Sequence, residues 1–238
     1  MKPIYLFADS QLLFWRHEDG LFLDSVRNLI ERPQPKAAYI GASNGDDVAF
    51  YSLFQGAMEG IGVCDCCMIN SQLSDNEILF LDEADLILLA GGDVQTGWEA
   101  FKKNGVREAV VKRYLEGAVL IGISAGSVQL GWCGWPAGEL TQNRLFETFK
   151  LVPFVVDAHD EKNAWRNLRQ SVQFCGGVVN GIGLPAGGGL IYHTNHTVES
   201  VRYPAVEIFL KNGEIAQSLL MPPGLESIAD VIADNWIT

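Results

Sequence analysis

"LIGISAGSVQLGW", residues 120–132, joins two kinds of structure in one short run. Its first half is near-continuously apolar, as in a strand buried on both faces, and its second half has the small residues of a helix start. Gly122-x-Ser124-x-Gly126 therefore reads as a sharp strand-to-helix turn that holds a serine up at a sheet edge, where a nucleophile would stand. The residues leave one alternative open, a tight connection in which Ser124 only caps the helix.

Upstream the same alternation repeats. "PIYLFA" (3–8), "AAYIGA" (37–42), "GVCDCCMI" (62–69), "DLILLAGG" (85–92) and "AVLIGIS" (118–124) read as strands. Between them "DSVRNLIER", "DDVAFYSLFQGAMEGIG", "SDNEILFLDEA" and "GVREAVVKRYLEG" carry apolar residues at three- and four-residue spacing, as helices do. Ser74 or Asp75 would cap the third helix and Gly117 would close the fourth. The pattern predicts an α/β fold in three layers, a mostly parallel sheet flanked by helices. In such sheets ligands bind beyond the carboxyl ends of the strands, so "LLAGGDVQ" and "GISAGS" should meet at one edge.

Downstream, "GWCGWPAGELTQNRLFETFK" (131–150) reads as a loop with a short helix, and residues 160–177 as a helix closed by glycine. From Gly189 onward the chain reads as β-structure, with Asn212-Gly213 as a hairpin turn. No repeat or linker divides it, so one domain over 1–238 is expected.

The chain carries 17 basic against 29 acidic residues, a net charge of -12, which repels phosphate backbones and anionic lipid. Nucleic-acid and membrane partners are therefore not expected, and the most basic stretch, "FKKNGVREAVVKR" (101–113), reads as a solvated helix face. The apolar runs fall short of the ~20 residues of a membrane span. No secretory signal is evident at the start, and the 5 cysteines suggest reduced thiols in the cytoplasm. In "VCDCCMI" strand alternation would send Cys64 and Cys66 to one face and Cys67 to the other, and no histidine follows at ligand spacing. Packing, not metal binding, is the expected role; no metal or cofactor is implied.

A serine needs a base and oxyanion donors. The backbone N–H groups of Ala125, at the head of the helix, and of Gly92 are the candidate donors. Among the histidines, His17 lies in the charged "WRHEDG", while His193 and His196 in "YHTNH" could line a pocket or face solvent. His159 follows an apolar strand and precedes a helix, which makes it the best base on organisation.

Taken in order, "LILLAGGDVQ", "LIGISAGSV", "LVPFVVDAHDEKNAWRNLRQ" and "VNGIGLPAGGGLIY" resemble the dipeptidase E and cyanophycinase family of serine peptidases over roughly residues 35–195. The resemblance implies a flavodoxin-like sheet akin to class I glutamine amidotransferase domains, with Ser124 as nucleophile, His159 as base and oxyanion donors from the glycine pair and Ala125. It departs at two positions. The family's glutamate in "GLPAGGGL" is replaced by Ala186, and Asp160 stands where an aromatic residue is usual. Asp157, Asp160 and Glu139 are the candidate replacement acids. Arg166 and Arg169 could meet an acidic substrate, or simply face solvent.

The expected function is a serine hydrolase, a peptidase or amidase cleaving small peptides through an acyl-enzyme on Ser124, with a homodimer left open. The alternative is a catalytically impaired relative that binds a small molecule in the same pocket.

Overall fold

The computed structural model describes residues 1–17, 20–138 and 140–224. Strand β1 (Ile4–Phe7), helix α1 (Asp24–Arg27), β2 (Lys36–Ile40), α2 (Val48–Gly60), β3 (Asp65–Ile69), α3 (Asp75–Leu81) and β4 (Leu86–Leu89) alternate along the chain. Helices α4 (Val94–Asn104) and α5 (Val106–Leu115), strand β5 (Val119–Ile123) and helix α6 (Ala125–Leu130) complete the first half. The second half holds β6 (Val155–Ala158), α7 (Arg166–Phe174), β7 (Gly181–Leu184), β8 (Gly189–Tyr192), β9 (Val198–Val201), β10 (Ala205–Lys211) and β11 (Glu214–Leu220).

The central sheet runs β9-β8-β1-β5-β4-β2-β3. Its five strands from the first half are mutually parallel, and β8 and β9 extend it antiparallel. The expected mostly parallel sheet is therefore correct, with a mixed edge. Alternate residues enter two cores, as the two-residue strand period requires. Ile4, Leu6, Ile87, Leu89 and Leu120 pack with Trp98 and Phe101 of α4 and Val110 of α5. Tyr5, Phe7, Leu86, Leu88 and Ile121 pack with Phe54 and Met58 of α2 on the other face. Cys66 and Cys67 of β3 divide between the same two cores, and Cys64 precedes the strand and is exposed.

Ser74 caps α3 in a reciprocal capping box with Glu77, as the sequence suggested. Gly117 follows the last turn of α5 with φ 103°. Other expectations need correction. Helix α1 stops after one turn, where the Arg27 guanidinium donates to the Ile30 carbonyl at 2.8 Å. Helix α4 was not anticipated, because Gly97 and the polar Lys102-Lys103-Asn104 interrupt its apolar spacing. Burial of Trp98 and Phe101, with a cap from Asp93 to the Thr96 N–H at 2.7 Å, decides it. The helix expected from residue 160 starts at Arg166, because Ala164 and Trp165 both take positive φ.

The sequence shows the strand before His159 and the β10–β11 hairpin, but not that they join β7 in a second sheet, β6-β7-β10-β11. One side of it joins the core of Trp98 and Phe101 through Val156, Ala158 and Ile182. The other packs on α7 through Val155, Leu168, Val172 and Ile208. The Asn212-Gly213 turn connects β10 to β11 with φ 55° and 84°, as a two-residue hairpin demands.

At the Ser124 turn, helix α6 lies so close to β4 that a Cβ on Gly126 would stand 2.1 Å from the Leu89 carbonyl oxygen. Gly126→Ala is therefore expected to destabilise the protein by about 3 kcal/mol or more, since the clash is with backbone. Gly56 in the exposed middle of α2 has open space where its Cβ would be. Gly56→Ala should stabilise by about 0.5–1 kcal/mol. Urea unfolding of both variants would check the pair, and equal effects would contradict this packing.

Candidate active site

Strand β5 ends at Ile123, and Ser124 turns the chain with φ 48° and ψ -109°. A non-glycine residue in this region is strained and must be held by its surroundings. Here the Ser124 N–H donates to the Phe7 carbonyl at 2.9 Å. One turn later the buried Ser127 hydroxyl shares its proton between the carbonyls of Phe7 and Gly122, at 2.9 and 2.8 Å. The serine is thus pinned to β1 and β5 from both sides.

His159 arrives from the second sheet. Strand β6 ends at Ala158, His159 takes φ 47°, and its N–H donates to the Leu184 carbonyl at the end of β7 at 2.9 Å. This kink carries the ring to the central sheet, where Nε2 lies 2.8 Å from Ser124 Oγ. His193 and His196 lie elsewhere, paired with Glu199 at 2.9 Å and the Tyr192 hydroxyl at 2.7 Å. Arg166 is exposed, and Arg169 donates to the Ala164 carbonyl and to Gln217.

The loops after four parallel strands meet around this pair. Ala8 and Asp9 follow β1, Asn44 follows β2, Gly91 and Gly92 follow β4, and all line one cavity of about 250 Å³ with Ser124 and His159. The strand order changes direction between β2 and β4, and a crevice at such a switch point is where open α/β sheets bind ligands. The "AGGDVQ" segment is fastened by the Asp93 N–H, which donates to the Ser43 carbonyl at 2.7 Å. Gln129 of α6 reaches Ser43 Oγ and the Val94 carbonyl, both at 3.0 Å. The N–H groups of Gly92 and Ala125 donate to no other backbone carbonyl among the described residues.

The candidate acids are placed differently. Glu139 lies outside the described residues. Asp160 accepts from Asn163 Nδ2 at 2.6 Å. Asp157 would share a face with His159 only if the strand continued, and it ends at Ala158. By alternation Asp157 lies with Val155 on the α7 side, 9% exposed. One of its oxygens accepts the Ala158 N–H at 2.9 Å and the other has no partner among the described residues. Burial first, then the nearby Asp160 charge, pushes its carboxyl up to about 7.

Among the described residues no carboxylate hydrogen-bonds His159. Two acids that the sequence reading passed over bind the loop containing Ala186. Glu161 accepts the Ala186 N–H at 2.5 Å, and Asp9 accepts the Gly187 N–H at 2.7 Å. Asp9 is the first polar residue beyond β1, a signal that could have marked it. For Glu161 nothing local distinguishes it from its charged neighbours. Among the described residues no cluster of His, Cys, Asp and Glu could hold a metal ion, and no helix is long and apolar enough to cross a membrane.

Comparison with known proteins shows the family. A model of peptidase family S51 matches residues 16–200. The uncharacterized peptidase YgaJ of Bacillus subtilis strain 168 is 27% identical over 120 residues, covering 48% of this chain and 51% of the relative. The chain thus spans about half the length of that curated relative. A peptidase from an acI-B1 actinobacterium superposes with a TM-score of 0.68 at 15% identity, covering 94% of this chain and 95% of the other. A candidate peptidase E from Listeria monocytogenes EGD-e gives a TM-score of 0.55 at 18% identity, covering 92% and 99%. At such identities the two structures establish the shared α/β fold.

The Asp157 carboxyl has a consequence for stability. Folded protein keeps its proton up to about pH 7, while the unfolded chain releases it near 3.8. Between these values the folded state binds more protons, so this contribution to stability is full below the lower value and lost as pH rises to the upper one. Asp157→Asn removes the titration. Relative to wild type, the variant should gain about 3 kcal/mol between pH 5 and pH 8 in urea unfolding. An effect independent of pH would show that Asp157 is ionised throughout.

Proposed function

Because the chain belongs to peptidase family S51, we propose that it is a serine-type peptidase or amidase that forms an acyl-enzyme on Ser124. The observation that carries this reading is the 2.8 Å contact between Ser124 Oγ and His159 Nε2 across two sheets. With Nε2 unprotonated, the hydroxyl donates to it, and the imidazole takes the proton as Oγ attacks the substrate carbonyl. The developing oxyanion is met by the N–H groups of Gly92 and Ala125, which have no competing backbone acceptor among the described residues.

The C–N bond breaks as the imidazolium returns the proton to the leaving amine. Water then repeats the sequence on the ester, adding hydroxide to the acyl carbon and a proton to Ser124. The strained backbone at Ser124 and at His159 supports the reading, since such strain gathers at functional sites. The substrate is a small peptide or amide, because the cavity beside the pair holds about 250 Å³.

A second reading has a specific observation behind it. Ala186 stands where the family resemblance implies a glutamate, and no carboxylate among the described residues hydrogen-bonds His159. A histidine without an orienting acid loses rate through the wrong tautomer, which would leave a pocket that binds without efficient turnover.

An active-site fluorophosphonate separates the two. Wild type should be labelled on Ser124 alone, Ser124→Ala should show no labelling, and His159→Ala should label about 10²–10⁴-fold more slowly. Wild type inert to the reagent, with a folded chain by circular dichroism, would favour the binding reading.

A further inference from the structure

The walls of the cavity beside Ser124 suit a particular class of substrate. Leu13, Tyr39, Phe54, Leu88 and Ile123 line it, and no lysine or arginine is among the described residues that do. On α2, Phe50, Leu53 and Phe54 follow helical three- and four-residue spacing and turn toward the same space. Phe54 is fully buried, whereas Phe50 and Leu53 remain 50% and 44% exposed. Two large apolar side chains held half in solvent at the mouth of a cavity are positioned to cover an apolar group entering it.

The polar lining points the same way. Asp9 is held in place by the N–H and side-chain amide of Gln11 at 2.9 and 3.2 Å and by the Gly187 N–H at 2.7 Å. Asp9 also lines the cavity, among whose described lining residues there is no lysine or arginine; the Arg202 guanidinium stands outside that lining, beside Gly187. A carboxylate side chain entering there would lose its water, find apolar walls, and meet a like charge.

We infer that this cavity binds the acyl-side residue of the substrate and selects a large apolar side chain, of the leucine or phenylalanine class, over an acidic one. The inference rests on the serine-peptidase reading for what the pocket serves, but its preference can be measured without turnover. Size is adequate: a cavity of about 150 Å³ lined by apolar residues takes up benzene, and this one offers about 250 Å³.

The test uses N-acetylated and free aminomethylcoumarin amides of phenylalanine, leucine, alanine and aspartate with the purified chain. The kcat/KM for phenylalanine and leucine should exceed that for alanine by about 100-fold, and aspartate should fall below alanine. Leu53→Arg, at the exposed mouth, should lower the phenylalanine value and raise the aspartate value, each by about tenfold. In parallel, Ser124→Ala protein is titrated by NMR with N-acetylphenylalaninamide and with the aspartate analogue. Preferential binding of the phenylalanine ligand, weakened when Leu53→Arg is added, supports the pocket even if no amide is cleaved, in which case the peptidase reading alone fails. Equal or better use of aspartate by wild type, or no saturable binding of the phenylalanine ligand, overturns the inference.

Discussion

The Ser127 hydroxyl lies fully buried beneath the strand-to-helix turn, its proton shared between the carbonyls of Phe7 and Gly122. Both carbonyls belong to parallel neighbours, β1 and β5, so this one group ties the start of α6 to two strands. Around it the packing leaves no freedom. Gly126 meets the Leu89 carbonyl of β4, and Gln129 on the next turn reaches Ser43 and Val94. With the helix fixed on three strands, Ser124 has nowhere to relax its positive φ, and its side chain stands out over the sheet edge. A strained conformation of this kind persists only when its surroundings over-determine it.

His159 depends on that same edge from the other direction. It ends a strand of the second sheet, and its backbone is fixed by Leu184 on the neighbouring strand. The Pro185–Gly188 turn that follows is held by two carboxylates, Glu161 on the Ala186 N–H and Asp9 on the Gly187 N–H. Asp9 belongs to the central sheet and Glu161 to the His159 segment, so this turn joins the two sheets where serine and histidine meet. The carboxylates act here as acceptors for backbone. The acid nearest His159 in strand register, Asp157, is buried with one oxygen unpartnered among the described residues, and burial pushes its carboxyl up to about 7.

An acidic chain of net charge -12 thus gathers Asp9, Asp157, Asp160 and Glu161 around the His159 strand and its loop, and of these Asp9 also lines the cavity, beside leucine, isoleucine and aromatic side chains. These two features are compatible because the acids are taken up by backbone N–H groups, by Asn163 or by protonation.

Much of this was legible locally. The strands and most helices of the first half declared themselves because apolar periodicity is a short-range property. Ser74 and the Asn212-Gly213 turn were readable for the same reason. Ser124 was legible because a tight strand-to-helix turn demands glycine on either side of it, and His159 because it ends an apolar strand. Helix α4 was hidden by a polar stretch whose helicity comes from burying Trp98 and Phe101 against a core assembled from distant segments. The second sheet was hidden because its first two strands, β6 and β7, pair with each other and then with β10, across loops and a helix that carry no register signal. The residues alone determined a parallel α/β sheet with a serine raised at its carboxyl edge. Tertiary structure decided which histidine reaches that serine, which acids are occupied with backbone, and that the adjoining cavity is apolar, because each depends on side chains brought together from separate strands whose contacts leave no trace in local spacing.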